Sequence, residues 1–410
     1  MPASLLVRQA RLPGHDDLQD VLVRDGRIAA IGTSVAAPRP DVLDDVPVED
    51  VAGALVLPGL IDAHCHVDKT LWGGPWVPHA AGPRLVDRIA NERDRRTDLG
   101  LPSPEHAADL LRHMATLGTT RVRTHTDVDP ALGLAGIESV AKAADAVRGL
   151  VDVEQVAFPQ DGVIRRPGTL ELLEAALDAG ATTLGGIDPA GVDDDPLGQL
   201  DALFEIAARR GAGIDIHLHD TGSLGAWQFG LVARRTVAFG LQGKVALSHA
   251  DALGTVPEDE RFRLIDLLAE SGVAVITAAV YDVPVPSVRD LAERGVTLAC
   301  GSDGIRDLWG PYGNGDMIER AMHVAYRNGL RRDEDIALAL DCATTGAAHL
   351  LGLDSYGLVP GAPGDLVVVP ARTVAEAVVA RPTRSLVVKD GHVIARHGEL
   401  VHPTHLEFPS

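Results

Sequence analysis

Leu57-Pro58-Gly59-Leu60-Ile61-Asp62-Ala63-His64-Cys65-His66-Val67-Asp68-Lys69 decides the fold of this chain. It reads as an apolar strand over 57–66, bent at its start by Pro58 and Gly59 and ending in two histidines one residue apart. Alternate residues of a strand face the same side. Both imidazoles can therefore reach one metal ion, while Cys65 points away. Alone, a His-x-His pair is often an ordinary structural feature; the rest of the chain gives this one its meaning.

Seven further apolar strands follow at 119–129, 151–160, 182–188, 213–219, 244–250, 272–280 and 296–303. Helical stretches separate them, for example 132–148, 170–179 and 197–210. Alternating strands and helices indicate a parallel sheet, and eight such units predict a (β/α)8 TIM barrel. The segments 1–56 and 356–410 read differently, as short strands joined by turns such as Asp25-Gly26 and Asp390-Gly391. They are expected to pair into one small β-sandwich domain, with the barrel, 57–355, inserted between them.

Bulk properties narrow the function classes. A chain of 410 residues with 46% apolar content can bury a large core, and its net charge of −21 repels nucleic-acid backbones and anionic lipid surfaces. No apolar run approaches a membrane span, and the first residues lack a basic stretch followed by an apolar one. Cys65, Cys300 and Cys342 are far apart and odd in number, which suits a reducing, cytoplasmic compartment rather than a disulfide framework. Partners are thus expected to be small molecules, not nucleic acid or membrane.

In this barrel class the C-terminal strand ends form the active-site mouth. The first strand brings His64 and His66 there. The fifth ends in Ile-Asp-Ile-His-Leu-His-Asp and brings His217, His219 and Asp220. The sixth brings His249 and the eighth Asp303. Any one histidine could be a satisfied core or rim group, but together they form a metal-ligand set. Imidazoles with a carboxylate suit Zn²⁺ or Fe²⁺, and an open coordination position would yield a hydroxide nucleophile near neutral pH. His125, at the end of the second strand, is expected in a supporting role. His349, in the helical run 345–351, reads as structural, and His79, His106 and His113 as loop or helix-surface residues.

The blocks His64-Cys65-His66-Val67-Asp68-Lys69, Gly185-Gly186-Ile187-Asp188-Pro189-Ala190, Asp215-Ile216-His217-Leu218-His219-Asp220 and Ser302-Asp303-Gly304-Ile305-Arg306-Asp307, with 311–317, resemble the amidohydrolase superfamily. The likeness is to its cytosine-deaminase-like branch and, within that, to members acting on s-triazines. It spans nearly the whole chain. The resemblance implies that His64, His66, His217 and Asp303 bind one divalent metal, and that His249 polarises the attacking water or the tetrahedral oxygen. It implies that Asp303 also accepts the water's proton. Lys69, Gln160, Asp188 and Trp309 are implied as substrate contacts. Lysine is scarce here, four in the whole chain, so one beside the metal pair is informative. The loop 72–84, with Trp72 and Trp76, is expected to form part of the pocket.

Two departures bear on substrate. Cytosine deaminases carry a glutamate where this chain has Asp220, and a second aspartate where it has Gly304. His219 or Asp220 is then left as proton shuttle. The fourth strand also lacks the lysine that bridges two metals in hydantoinases and dihydroorotases, which favours a single ion. The resulting expectation is a hydrolase of non-peptide C–N bonds, replacing an exocyclic ammonia or alkylamine on a triazine, pyrimidine, purine or pterin ring by oxo. The alternatives are a binuclear cyclic-amide hydrolase and a non-catalytic binding scaffold; the complete ligand set argues against the second. A homo-oligomer is expected by resemblance.

Overall fold

The computed structural model describes residues 4–35, 46–280 and 283–401. The end segments at 1–3, 36–45 and 402–410 lie outside these residues. Its centre is an eight-stranded parallel sheet: β6 (Leu60–Cys65), β7 (Thr119–Asp127), β8 (Asp152–Phe158), β9 (Thr183–Ile187), β10 (Gly213–His217), β11 (Val245–Ser248), β12 (Val273–Thr277) and β13 (Leu298–Cys300), each beside its sequence neighbour. Cys65 bridges to Asp303 in parallel, and the Asp303 N–H donates to the His64 carbonyl at 2.8 Å, closing the barrel. A Cβ on Gly301 would lie 2.2 Å from that carbonyl, so this seam requires glycine.

The helices between strands follow local chemistry. In Pro196–Arg210, Asp195 accepts from the Gly198 N–H at 2.9 Å, Pro196 opens the first turn and Gly211 ends the helix in the left-handed conformation. Each device satisfies or removes an orphan backbone group. Leu200, Leu203, Phe204 and Ala207 recur at helical spacing and are fully buried against the barrel.

Both chain ends form sheets. β1 (Leu5–Ala10), β2 (Gln19–Arg24), β3 (Arg27–Gly32) and β4 (Val48–Asp50) make one, in the order β3-β2-β1-β4. The second runs β17-β16-β15-β14-β5, from β5 (Leu55–Pro58), β14 (Leu366–Val369), β15 (Leu386–Lys389), β16 (His392–Arg396) and β17 (Glu399–Leu400). Leu5, Val7, Val56, Leu366, Val368 and Val388 share one core, so the two ends do pack together. One expectation is corrected here. Residues 57–66 are not a single strand: Leu57 and Pro58 belong to β5, and the chain breaks at Gly59. A Cβ there would fall 2.3 Å from the Thr120 hydroxyl, so β6 starts one residue later against β7.

Candidate metal centre and cleft

The ends of β6, β10 and β13 converge. Nε2 of His64 and of His66 lie 3.6 and 3.4 Å from Asp303 Oδ1, and Nε2 of His217 lies 3.4 Å from that of His66. One donor atom from each residue falls within 4.8 Å of all the others. Hydrogen bonding sets the histidine tautomers. His66 Nδ1 donates to the His125 carbonyl at 3.1 Å, which leaves Nε2 as a lone pair. Ser248 Oγ donates to Asp215 Oδ1 at 2.6 Å, so it can accept from His64 Nδ1 at 2.9 Å. The His64 Nε2 so exposed is buried with no hydrogen-bond partner.

Electrostatics agree. Burial, then Lys69, pushes His66 down to about 4, and burial with the crowd of imidazoles pushes His217 well down. Neutral imidazoles are the ligating form. Asp303 opposes burial through His64 and His66 and is held well below the usual carboxylate range. Three neutral nitrogens, one carboxylate and an orphaned lone pair fit one Zn²⁺ or Fe²⁺ ion. The Asp215–Ser248–His64 relay yields a prediction: Ser248→Ala should weaken metal binding by about 10- to 100-fold. Competition against a chelator reads this directly, and unchanged affinity would remove the relay.

His125 holds His66 through its carbonyl, while its own ring is fully buried 3.5 Å from Asp215. Cys65 faces outward, its thiol toward the Arg123 carbonyl.

Around the cluster lies an open cleft lined by His66, His217, His219, His249, Asp303, Lys69, Gln160, Phe158 and Trp309 among others. Several of the strand ends that shape it are strained: His249, Ala250, Asp303 and Asp188 all have positive φ (69°, 53°, 60° and 28°). Such conformations in non-glycine residues cluster where function constrains the backbone.

Lys69 is turned inward by the short helix Val67–Lys69, donating to Gln160 Oε1 at 2.6 Å and Asp127 Oδ1 at 2.8 Å, with Glu92 at 3.5 Å. Burial opposes its charge, but Asp127 and Glu92 outweigh that and raise it. Trp309 lines the cleft and donates its indole N–H to Glu92.

His219 stacks on His249 with ring centroids 4.3 Å apart. Its Nδ1 meets Asp188 Oδ2 at 2.7 Å, and its backbone N–H donates to Asp188 Oδ1 at 2.6 Å. Burial disfavours charge on His219, but Asp188 overrides it and lifts the imidazole to about 9.

Three expectations change. Asp188 is buried beneath His219 and does not line the cleft: its carboxylate is consumed by His219 and by the Asp220 N–H. Asp220 also turns away, accepting from Gly191 N at 3.1 Å and Gln228 Nε2 at 2.9 Å. The loop 72–84 contributes no lining residue; Trp72 stacks on His113 and under Arg306. The next helix, Leu85–Arg95, supplies Leu85 and Arg88 instead.

Asp251 and Asp307 were not singled out as cleft residues from sequence. A Cβ at Gly304 would lie 2.1 Å from Asp307 Oδ2, so the loop carboxylate occupies the room a side chain at 304 would need. Asp307 Oδ1 accepts from the N–H groups of Trp309 and Gly310 at 2.8 and 2.9 Å, and burial pushes the group up to about 7. The signal available was its position: a polar residue just past a barrel strand.

The model of the Amidohydrolase family matches residues 105–395. N-isopropylammelide isopropyl amidohydrolase of Pseudomonas sp. (strain ADP) is 32% identical over 97% of this chain and 98% of its own length. The crystal structure of N-isopropylammelide isopropylaminohydrolase from Burkholderia multivorans is similar at TM-score 0.93 and 49% identity, covering 97% of this chain and 100% of the other. 5-Methylcytosine deaminase from Klebsiella pneumoniae, solved with 5-fluorocytosine, follows at TM-score 0.84 and 26% identity, covering 97% and 98%.

Proposed function

The chain belongs to the amidohydrolase family, and from that premise we propose that it hydrolyses the bond between an N-heterocycle and its exocyclic amine, with an N-alkylated s-triazine as the favoured substrate. The observation that carries this is His219, locked by Asp188 beside the four-ligand cluster and inside a cleft walled by Trp309 and Phe158. A flat ring, a proton donor and a metal site are the requirements of aminohydrolysis.

A divalent ion, Zn²⁺ or Fe²⁺, held by His64, His66, His217 and Asp303, would supply Lewis acidity and make water acidic enough to react near neutral pH. Asp303 accepts the proton of the attacking water. His249, whose Nε2 is buried without a partner, faces the developing oxyanion. His219 passes a proton to the ring nitrogen or to the leaving amine. Lys69 and Gln160 hold a ring carbonyl, and Trp309 packs against the ring. Asp188 and Asp220 position this machinery from behind. Single-metal chemistry is supported by β9, whose five residues include no lysine.

In the same reading residues 57–355 carry the reaction, and 1–56 with 356–410 buttress it. No helix among the described residues is long and apolar enough to cross a membrane; a cytoplasmic homo-oligomer is the proposed working form. The test is amine release by Zn²⁺- and Fe²⁺-loaded protein from ammelide, N-isopropylammelide, cytosine, isoguanine and pterin. Release is expected from the triazines first. No release from any of the five would overturn the reading.

A further inference from the structure

Lys69, Gln160 and Trp309 approach the metal cluster from the loops after β6, β8 and β13. The opposite wall comes from the loops after β11 and β12, and its polar group has no role so far. Asp251 lines the cleft, is 4% exposed, and its carboxylate has no hydrogen-bond partner among the described residues. Its short helix, Asp251–Gly254, packs on the segment after β12: a Cβ at Gly254 would lie 2.6 Å from the Pro284 side chain.

That segment supplies Val280 and Val283, which line the same cleft. Both are held by their carbonyls. Arg327 donates to Val280 O at 3.2 Å and to Val283 O, and Arg320 donates to Ala278 O at 2.5 Å. Among the described residues, an acceptor without a donor therefore shares the cleft with Val280 and Val283, whose carbonyls Arg327 holds. Burial pushes Asp251 up to about 7, against the opposing charge of His219. The carboxylate lines the cleft with no protein donor, so a ligand N–H or cation can take the place of water there.

We propose that Asp251 recognises the departing amine, accepting its N–H while Val280 and Val283 receive an N-alkyl substituent. The turnover part of this proposal rests on the function proposed above; the binding part does not. In the reaction, water oxygen bonds to the ring carbon, and the exocyclic C–N bond breaks with its electron pair on nitrogen. One water proton reaches that nitrogen through His219, and the other stays with the product as hydroxyl or ring N–H. The amine leaves neutral and then takes a proton from solvent. Alkylamines resemble the lysine side chain, whose pKa is about 10.4, so the carboxylate then faces an alkylammonium ion.

The first test uses isopropylammonium with the metal-loaded full chain, read by ligand-observed NMR titration. Asp251→Asn should bind it at least tenfold more weakly than the unsubstituted chain, with metal content and circular dichroism unchanged. Equal binding, or no binding by the unsubstituted chain, overturns the proposal whether or not any substrate turns over. The second test compares kcat/KM for N-isopropylammelide and ammelide. Val283→Phe should cut the first at least tenfold more than the second. An equal loss on both overturns the alkyl assignment, whereas absence of turnover in the unsubstituted chain counts against the proposed function and leaves the NMR arm to decide.

Discussion

Asp303→Asn is expected to abolish measurable amine release, lowering turnover by more than about 10³-fold, because it removes an anionic metal ligand and the proposed proton acceptor together. The substitution keeps size and shape, so the barrel seam, which depends on the Asp303 backbone N–H, should persist. What changes is charge. Asp303 Oδ1 is the common neighbour of His64 and His66, and an amide oxygen there is neutral. Elemental analysis after metal loading separates the two losses: substoichiometric metal reports the ligand role, full metal with no turnover the proton role. Full metal with turnover within tenfold of the unsubstituted chain would sink both assignments.

The barrel was readable because most of its strands are short, largely buried apolar runs separated by amphipathic helices; β7, Thr119–Asp127, with Val122 as its one apolar residue, is the exception. β9, for instance, is buried at every position, and only its length and flanking glycines mark it as a strand. His64 and His66 were readable for a different reason. His66 follows the last strand residue, Cys65, at φ −132° and ψ 76°, already outside the regular extended region, yet its Nε2 still meets the same Asp303 oxygen as that of His64.

The misreadings share a cause. Asp188 and Asp220 lie next to functional residues in sequence, yet a side chain's direction after a strand depends on loop torsions that no periodicity encodes. Asp188, at φ 28°, folds back under His219. Asp220, at the mouth of the helix Gly222–Ala238, is captured by Gln228 from that helix. Asp251 and Asp307 escaped notice for the converse reason: each reaches the cleft from a loop or short helix after a strand, where polar residues are common and carry no spacing signal.

Asp188→Asn should lower kcat/KM by about 10²- to 10⁴-fold without loss of metal, although Asp188 touches no substrate. Its two oxygens have different partners. Oδ1 accepts the backbone N–H groups of His219 and Asp220, and an asparagine oxygen can keep both bonds, so the loop should hold its shape. Oδ2 accepts from His219 Nδ1, and there asparagine presents an N–H instead. His219 must answer with a lone pair on Nδ1, which moves its remaining proton to Nε2. The ring then faces the cleft in a tautomer unable to take up a proton there, and the shuttle stops in one direction. Loss of the Asp188 charge also lowers the proton affinity of His219, leaving burial to dominate. The protonated form is then lost at lower pH, and the alkaline limb of kcat/KM should shift to lower pH. A merely structural aspartate would change stability or metal content and leave that limb in place, so an unshifted profile with turnover within threefold of the unsubstituted chain would exclude the dyad.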